Sequence, residues 1–161
     1  MASGKTTLLN QIRRHVVACP DARLAQASVG KDARGDEAWD DFSVLDGNGT
    51  PAGALDALAS VRDIIYARVG LSIATRTGGI LTPDYAHPLW VLVVDGLETL
   101  LHEVPDAAGL LQWITFHGRA EGVCLIGTTL RAISARSVMR DQVIITASPG
   151  DFRVIRDPEG Q

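Results

Sequence analysis

An α/β fold, with helices on both faces of a mostly parallel sheet, is the architecture that this 161-residue sequence predicts. Three observations carry the prediction. Leu89–Val94 and Val123–Gly127 are continuous apolar runs of strand length, without the alternation of a half-exposed sheet, so both of their faces must be covered. Two other segments place apolar residues at helical spacing. Helix and strand signals also alternate along the chain, the order expected of βαβ units.

Taken in order, the first element is a helix from Lys5 to about Ala18, where Leu8, Ile12 and Val16 recur at helical spacing beside Leu9, and Pro20 closes it. Arg23–Val29 follows as a strand. Gly30–Thr50 is rich in Gly, Asp and Lys and reads as loop, with a short strand at Phe42–Leu45. Pro51–Val69 is the second helix: Leu55, Leu58, Val61 and Ile65 step by threes and fours, Pro51 suits a first turn, and Gly70 suits a stop. A polar loop containing Gly78-Gly79 and Pro83 leads into Leu89–Val94, which ends at Asp95. A helix is predicted from about Asp106 to Ala120, then the strand Val123–Gly127, closed by Thr128-Thr129. Val143–Thr146 and Phe152–Ile155, around Pro149-Gly150, read as a hairpin at the sheet edge.

Composition narrows the function. Hydrophobic residues make up 46% and charged residues 21%, as in an ordinary folded domain, and one domain accounts for the whole length. The net charge of −4 excludes a chain that coats nucleic acid by bulk electrostatics, while leaving contact through a few loops open. Cys19 and Cys124 have no disulfide or metal-ligand pattern, and His15, His87, His102 and His117 form no paired motif. No run is long enough to span a bilayer, and Thr6, Thr7 and Asn10 break up any apolar leader after Lys5. A cytoplasmic location is expected. Trp39, Trp90 and Trp113 are expected to pack rather than to stack on bases. Lys31 and Arg34 could touch DNA or phosphate, but Asp32, Asp36, Glu37, Asp40 and Asp41 around them favour a solvated loop.

The chemistry-bearing motifs sit at element junctions. Ser3-Gly4-Lys5-Thr6-Thr7, running directly into a helix, matches the back half of the phosphate-binding pattern G-x-x-x-x-G-K-[ST]. Gly4 lets the backbone approach phosphate, Lys5 supplies a point charge to the β and γ phosphates, and the Thr6 hydroxyl ligates Mg²⁺. The helix adds its positive end to the same anion. Alone, the pattern is also what a well-capped helix start looks like. Val91–Val94 followed by Asp95 supplies the second half, an acid at a strand tip that holds Mg²⁺ opposite the threonine. An Asp-Gly turn closing any buried strand would look the same. Together the two halves predict a three-layer P-loop NTPase (RecA-like) fold that binds ATP and Mg²⁺. The pattern's first glycine and its leading strand would fall before Met1, so the chain reads as a piece of a longer protein with an open slot in its sheet.

His117-Gly118-Arg119-Ala120-Glu121-Gly122-Val123-Cys124-Leu125-Ile126-Gly127-Thr128-Thr129-Leu130-Arg131-Ala132 resembles the G-R-A-x-G-[IV]-x-L-[IL]-x-[AT]-T-Q-R-P signature of FtsK/SpoIIIE-type DNA translocases. The helix from Ala54-Leu55 to Tyr66-Ala67-Arg68 is similar to the one preceding that family's acidic strand. The resemblance reaches to about Asp151. It implies a motor domain in a hexameric ring that drives double-stranded DNA through a pore. On this chain it implies Ser3, Gly4, Lys5, Thr6 and Thr7 around the nucleotide, Thr6 and Asp95 on the metal, and Thr129 as a sensor of the γ-phosphate beside Lys5 and Asp95. Arg119 or Arg131 would either reach a neighbouring subunit's nucleotide or serve as a surface or capping group.

The departures bear on activity. Gly96 stands where the family has the glutamate that polarises the attacking water, and Glu98 comes two residues later. Leu130 and Ala132 replace the sensor glutamine and the proline. The leading expectation is therefore a translocase motor with impaired hydrolysis. The alternative is an ATPase or pseudo-ATPase module related to type VII secretion ATPases, in which nucleotide organises a protein partner. A fragment without independent activity is the third.

Overall fold

The computed structural model describes residues 5–30, 45–75, 82–129, 143–148 and 151–156. Its elements run α1 (Lys5–Ala18), β1 (Ala22–Gln26), β2 (Leu45–Asp46), α2 (Pro51–Thr75), β3 (Leu89–Val94), α3 (Leu97–Glu103), α4 (Ala107–His117), a short 3₁₀ turn (Arg119–Glu121), β4 (Val123–Thr129), β5 (Val143–Ser148) and β6 (Asp151–Arg156). The strands form one sheet in the order β2-β1-β3-β4-β5-β6. All neighbours are parallel except β5 and β6, which pair antiparallel from Val143↔Arg156 to Ser148↔Asp151.

Three layers follow from the alternation of side chains along the strands. Ala22 and Leu24 of β1 and Val91 and Val93 of β3 pack under Leu9 and Val16 of α1. Ala25, Leu92, Val94 and Leu125, on the other face, pack against Leu58, Val61 and Ile65 of α2, Leu97 and Leu100 of α3, and Leu111 and Ile114 of α4. Covered on both sides, β3 is apolar throughout, as the sequence predicts. The predicted fold class is the observed one.

Several boundaries differ, each for a physical reason. The first strand is expected to reach Val29, but its last bond to the neighbouring strand is Ala27 N–H to the Val93 carbonyl at 3.0 Å. Ser28 then offers its hydroxyl, not its backbone, to the next amide, that of Asp95, at 2.7 Å. Of the strand predicted at Phe42–Leu45, residues 42–44 lie outside the described residues, and Leu45–Asp46 forms β2. The second helix begins where expected: Thr50 accepts the Gly53 amide on its hydroxyl at 3.1 Å, and Pro51 fills the first helical position. It does not stop at Gly70 but runs to Thr75. Gly70 faces open space, and one glycine in an exposed helix costs only about 1 kcal/mol, too little to end it. The helix expected from Asp106 to Ala120 ends at His117 and gives way to the 3₁₀ turn.

The open slot expected within the sheet is absent among the described strands. β4 pairs directly with β5, from Ile126↔Val143 to Thr129↔Thr146. That pairing satisfies backbone groups which an interior gap would leave unbonded. The predicted Pro149-Gly150 turn lies outside the described residues.

The signature stretch has a structural reason of its own. A Cβ on Gly118 would lie 2.6 Å from the Ile114 carbonyl oxygen and 3.0 Å from Val123 Cβ, so only glycine fits where α4 turns onto β4. Gly122, at φ 69°, adopts the left-handed conformation that ends the 3₁₀ turn.

Candidate functional site

Helix α1 joins β1 through the three residues Cys19-Pro20-Asp21 and packs back along it, so the two run antiparallel. The start of α1 therefore lies over the C-terminal edge of the sheet, where β3 delivers Asp95. Lys5 and Thr6 occupy the first turn of that helix and Thr7 is exposed on it. Ser3 and Gly4 lie outside the described residues. The backbone thus brings the start of α1 and the strand-tip acid Asp95 to one edge of the sheet.

At that edge the chain turns sharply. Gly96 takes a left-handed conformation, φ 76° and ψ 61°, which lets β3 end at Val94 and α3 begin at Leu97. Asp95 is held in the bend. Its amide donates to the Ser28 hydroxyl at 2.7 Å, and the Gly96 amide donates to the Thr128 hydroxyl oxygen at 2.8 Å. Thr128 in turn donates its hydroxyl hydrogen to Asp95 Oδ1. One residue on, Thr129 donates to Glu98 Oε1 on the first turn of α3.

Two acids are therefore tied to two successive threonines of β4, one pair on each face of the strand tip. Thr128 and Thr129 are 1% and 2% exposed, so neither hydroxyl relies on water. The resemblance implies a sensor role for Thr129; the residue that meets Asp95 is its neighbour Thr128. Glu98, two residues after Gly96, is carried by α3 back to β4.

A third charged group lies beneath the tip. Arg13 of α1 is fully buried, in the helical stripe between Leu9 and Val16, and donates to Asn10 Oδ1 at 2.8 Å. Burial pulls its guanidinium below the ordinary arginine pKa, and the carboxylates of Asp95 and then Asp46 push it back up. Arginine stays charged under such opposition, so α1 presents a fixed cation towards the acid. Gln26, at the end of β1, is 2% exposed and neither of its amide atoms has a partner. Nothing in the sequence pattern signals Arg13 or Gln26 as buried.

The donor set suits magnesium. The Asp95 carboxylate and the neighbouring hydroxyls are hard oxygen ligands, and among the described residues no group of three His, Cys, Asp or Glu would cage a metal by itself. A single carboxylate completed by phosphate and water is how magnesium is usually held. Asp95 and Thr6 are the residues that would hold it.

Other predicted residues lie elsewhere. Arg119 is exposed on the 3₁₀ turn at the opposite end of β4, about 20 Å along the strand from Thr129. Arg131, Lys31 and Arg34 lie outside the described residues. Trp90 is buried and Trp113 is partly buried, in keeping with packing roles. No helix among the described residues is long and apolar enough to cross a membrane.

Compared with solved structures, the chain is similar to the cytoplasmic domain of the type VII secretion ATPase EccC of Thermomonospora curvata, with a TM-score of 0.67 and 18% identity over 89% of this chain. It is also similar to EssC (ATPases 2 and 3) from Geobacillus thermodenitrificans, with a TM-score of 0.67 and 14% identity over 91% of this chain. The chain spans 19% and 30% of the length of those two chains. No protein-family model and no curated protein matches it in sequence. At such identity the likeness is one of fold alone: the chain shares the α/β architecture of these ATPase domains.

Proposed function

We propose that this chain is a nucleotide-binding module of the secretion-ATPase kind, in which ATP and Mg²⁺ held at the C-terminal sheet edge organise a protein partner. The observation that carries the reading is the convergence on one edge of the α1 start, bearing Lys5 and Thr6, with Asp95 locked by Thr128. Lys5 binds the β and γ phosphates, Thr6 and Asp95 hold the metal, and Ser3, Gly4 and Thr7 line the phosphates. Both structural neighbours are secretion ATPases, which favours a protein over DNA as the thing engaged.

Translocation of double-stranded DNA by a hexameric ring, which the signature stretch implies, is the competing reading. It is weakened because Gly118 and Gly122 have packing reasons independent of DNA. One experiment separates the two. A fluorescent ATP analogue is titrated into the chain and into Lys5→Ala, with and without Mg²⁺, and turnover is followed with and without duplex DNA. The proposal expects binding that weakens at least about tenfold in Lys5→Ala, the loss of one charge-assisted phosphate contact. It also expects turnover indifferent to DNA. Stimulation by DNA would favour the translocase, and no binding would end the nucleotide reading.

A further inference from the structure

We infer that Arg13 is the built-in counter-ion of Asp95, a buried positive charge that steadies the strand-tip acid and competes with a divalent cation for it. The competition rests on the reading of Asp95 as the metal-holding acid, whereas the pairing stands without it.

The α1 face of the sheet is built from strand rows. Leu24 of β1, Val91 and Val93 of β3, and Cys124 and Ile126 of β4 pack there with Leu9 and Val16 of α1. Side chains alternate along a strand, so each row continues to its tip through every second residue. Those next residues are Gln26, Asp95 and Thr128. The bond from Thr128 to Asp95 shows that the row holds past the end of β3. Asp46 shares the face of Gln26, its register partner on β1. The apolar layer under α1 thus turns polar at the tips.

Arg13 stands over that change. It lies between Leu9 and Val16 on the inner line of α1 and is 0% exposed. The start of α1 lies at the tip edge, and helical side chains lean towards the start of their helix. The guanidinium therefore reaches towards the tips. Its Nη1 bond to Asn10 Oδ1 at 2.8 Å, one turn nearer the start, fixes that direction. Of the carboxylates whose charge acts on it, Asp95 acts most strongly and Asp46 next.

A guanidinium stays protonated even where water is excluded, so this charge is permanent. A buried charge is costly without an opposite one, and Asp95 supplies it. A divalent cation on Asp95 would meet that fixed positive charge, and two cations would share one acid. The metal is then held firmly only with the negative charge of a triphosphate beside it.

The test uses the whole chain with Arg13→Gln, Arg13→Lys, Asp95→Asn and the double variant of Arg13→Gln with Asp95→Asn. Urea melts in chelator measure the pairing. The double variant should lose less stability than the two single losses added, because each single change strands one charge. Additive losses overturn the pairing. Should Arg13→Gln fail to fold alone, the double variant is expected to fold, and its failure would overturn the pairing equally.

The competition is read from the Mg²⁺ concentration that half-maximally tightens binding of the fluorescent ATP analogue at constant ionic strength. Arg13→Gln should lower that midpoint by about tenfold, and Arg13→Lys, which keeps the charge, should stay within about twofold of the parent. A merely structural arginine would leave the midpoint in place or move it alike in both variants, and that result overturns the competition. Should Arg13→Gln be unfolded in chelator, Mg²⁺ with the analogue is expected to restore its fold, and a chain that stays unfolded overturns the competition too. A parent that binds the analogue no better in Mg²⁺ than in chelator ends the metal reading of Asp95, while the urea melts still decide the pairing.

Discussion

Thr128 gives its hydroxyl hydrogen to Asp95 Oδ1 and, on the same oxygen, accepts the Gly96 amide at 2.8 Å. One buried side chain thus fixes both the acid and the left-handed bend that presents it. A strand-tip aspartate in a glycine turn would otherwise have several rotamers and a loose backbone. Here the Asp95 amide is also committed, to Ser28 at 2.7 Å, so the segment following β1 and the ends of β3 and β4 all contribute to its position. A carboxylate fixed before its ligand arrives loses less freedom on binding.

Replacing Thr128 with valine keeps the shape and removes the hydroxyl. It deprives a carboxylate of its donor and leaves the Gly96 amide without an acceptor at a partly buried site. The expected cost is about 1–3 kcal/mol, read from the urea midpoint at constant slope. Nucleotide affinity in Mg²⁺ should fall more than affinity in chelator, because the lost contact orients the acid proposed to hold the metal. A stability unchanged within error would mean that the bend holds itself.

Why this residue escapes a reading of the sequence is instructive. Thr128 and Thr129 are adjacent and identical, and which one faces Asp95 depends on the β3–β4 register, Val94↔Gly127, which no local pattern encodes. Arg13 is hidden for a similar reason. The apolar residues Leu8, Ile12 and Val16 suggest one buried stripe, but the inner line of α1 is Leu9, Arg13 and Val16, with an arginine in a core position. The buried guanidinium is favoured by its bond to Asn10 and by the charges of Asp95 and Asp46, which are distant in sequence. Helix α3 is seven residues long, below the length at which periodicity declares itself, and depends on Gly96 for its start. By contrast, β3 and the beginning of α2 are legible because continuous burial and a Thr-Pro helix start leave local marks.

Arg68 supports a different set of backbone groups. Although it is on α2, its Nη1 donates to the Glu121 carbonyl at 2.6 Å and its Nη2 to the Pro88 carbonyl at 2.6 Å, joining the approaches to β3 and β4. Burial lowers the pKa of its guanidinium, opposed by Glu121 and Asp84. Arg68→Met fills most of the space but leaves those carbonyls unbonded. It should destabilise the fold by about 2–4 kcal/mol. Nucleotide affinity per folded molecule should hold, since this end of the sheet lies opposite Asp95. A selective loss of binding at full stability would contradict that separation.

Gly118→Ala tests the packing explanation of the signature stretch. The new methyl would meet the Ile114 carbonyl at 2.6 Å, Val123 Cβ at 3.0 Å and Ile65 Cδ1 at 3.3 Å, two of them rigidly placed. Overpacking of this kind costs about 1–3 kcal/mol. Thermal melting of the variant measures it, and an unchanged midpoint would return the glycine to a role in binding a partner.

The two cysteines give a pH test of the sheet's α1 face. Cys124, partly buried on β4, packs with the cluster under α1, and burial pushes its thiol up to about 11, whereas Cys19 is exposed. The thiolate is the reactive form, so a thiol reagent at pH 8 should label Cys19 quickly and Cys124 only after unfolding. The sign of the linked stability follows from proton counting. Between the ordinary thiol pKa near ~8.5 and the folded value of about 11, the folded chain keeps a proton that the unfolded chain has released. Raising the pH through that window therefore favours unfolding, while below it the group makes no pH-dependent contribution. Urea melts at pH 8 and pH 10 should show the parent losing about 2 kcal/mol more than Cys124→Ala. Equal losses in the two proteins would mean that the thiol is hydrated, and that α1 does not seal this face of the sheet.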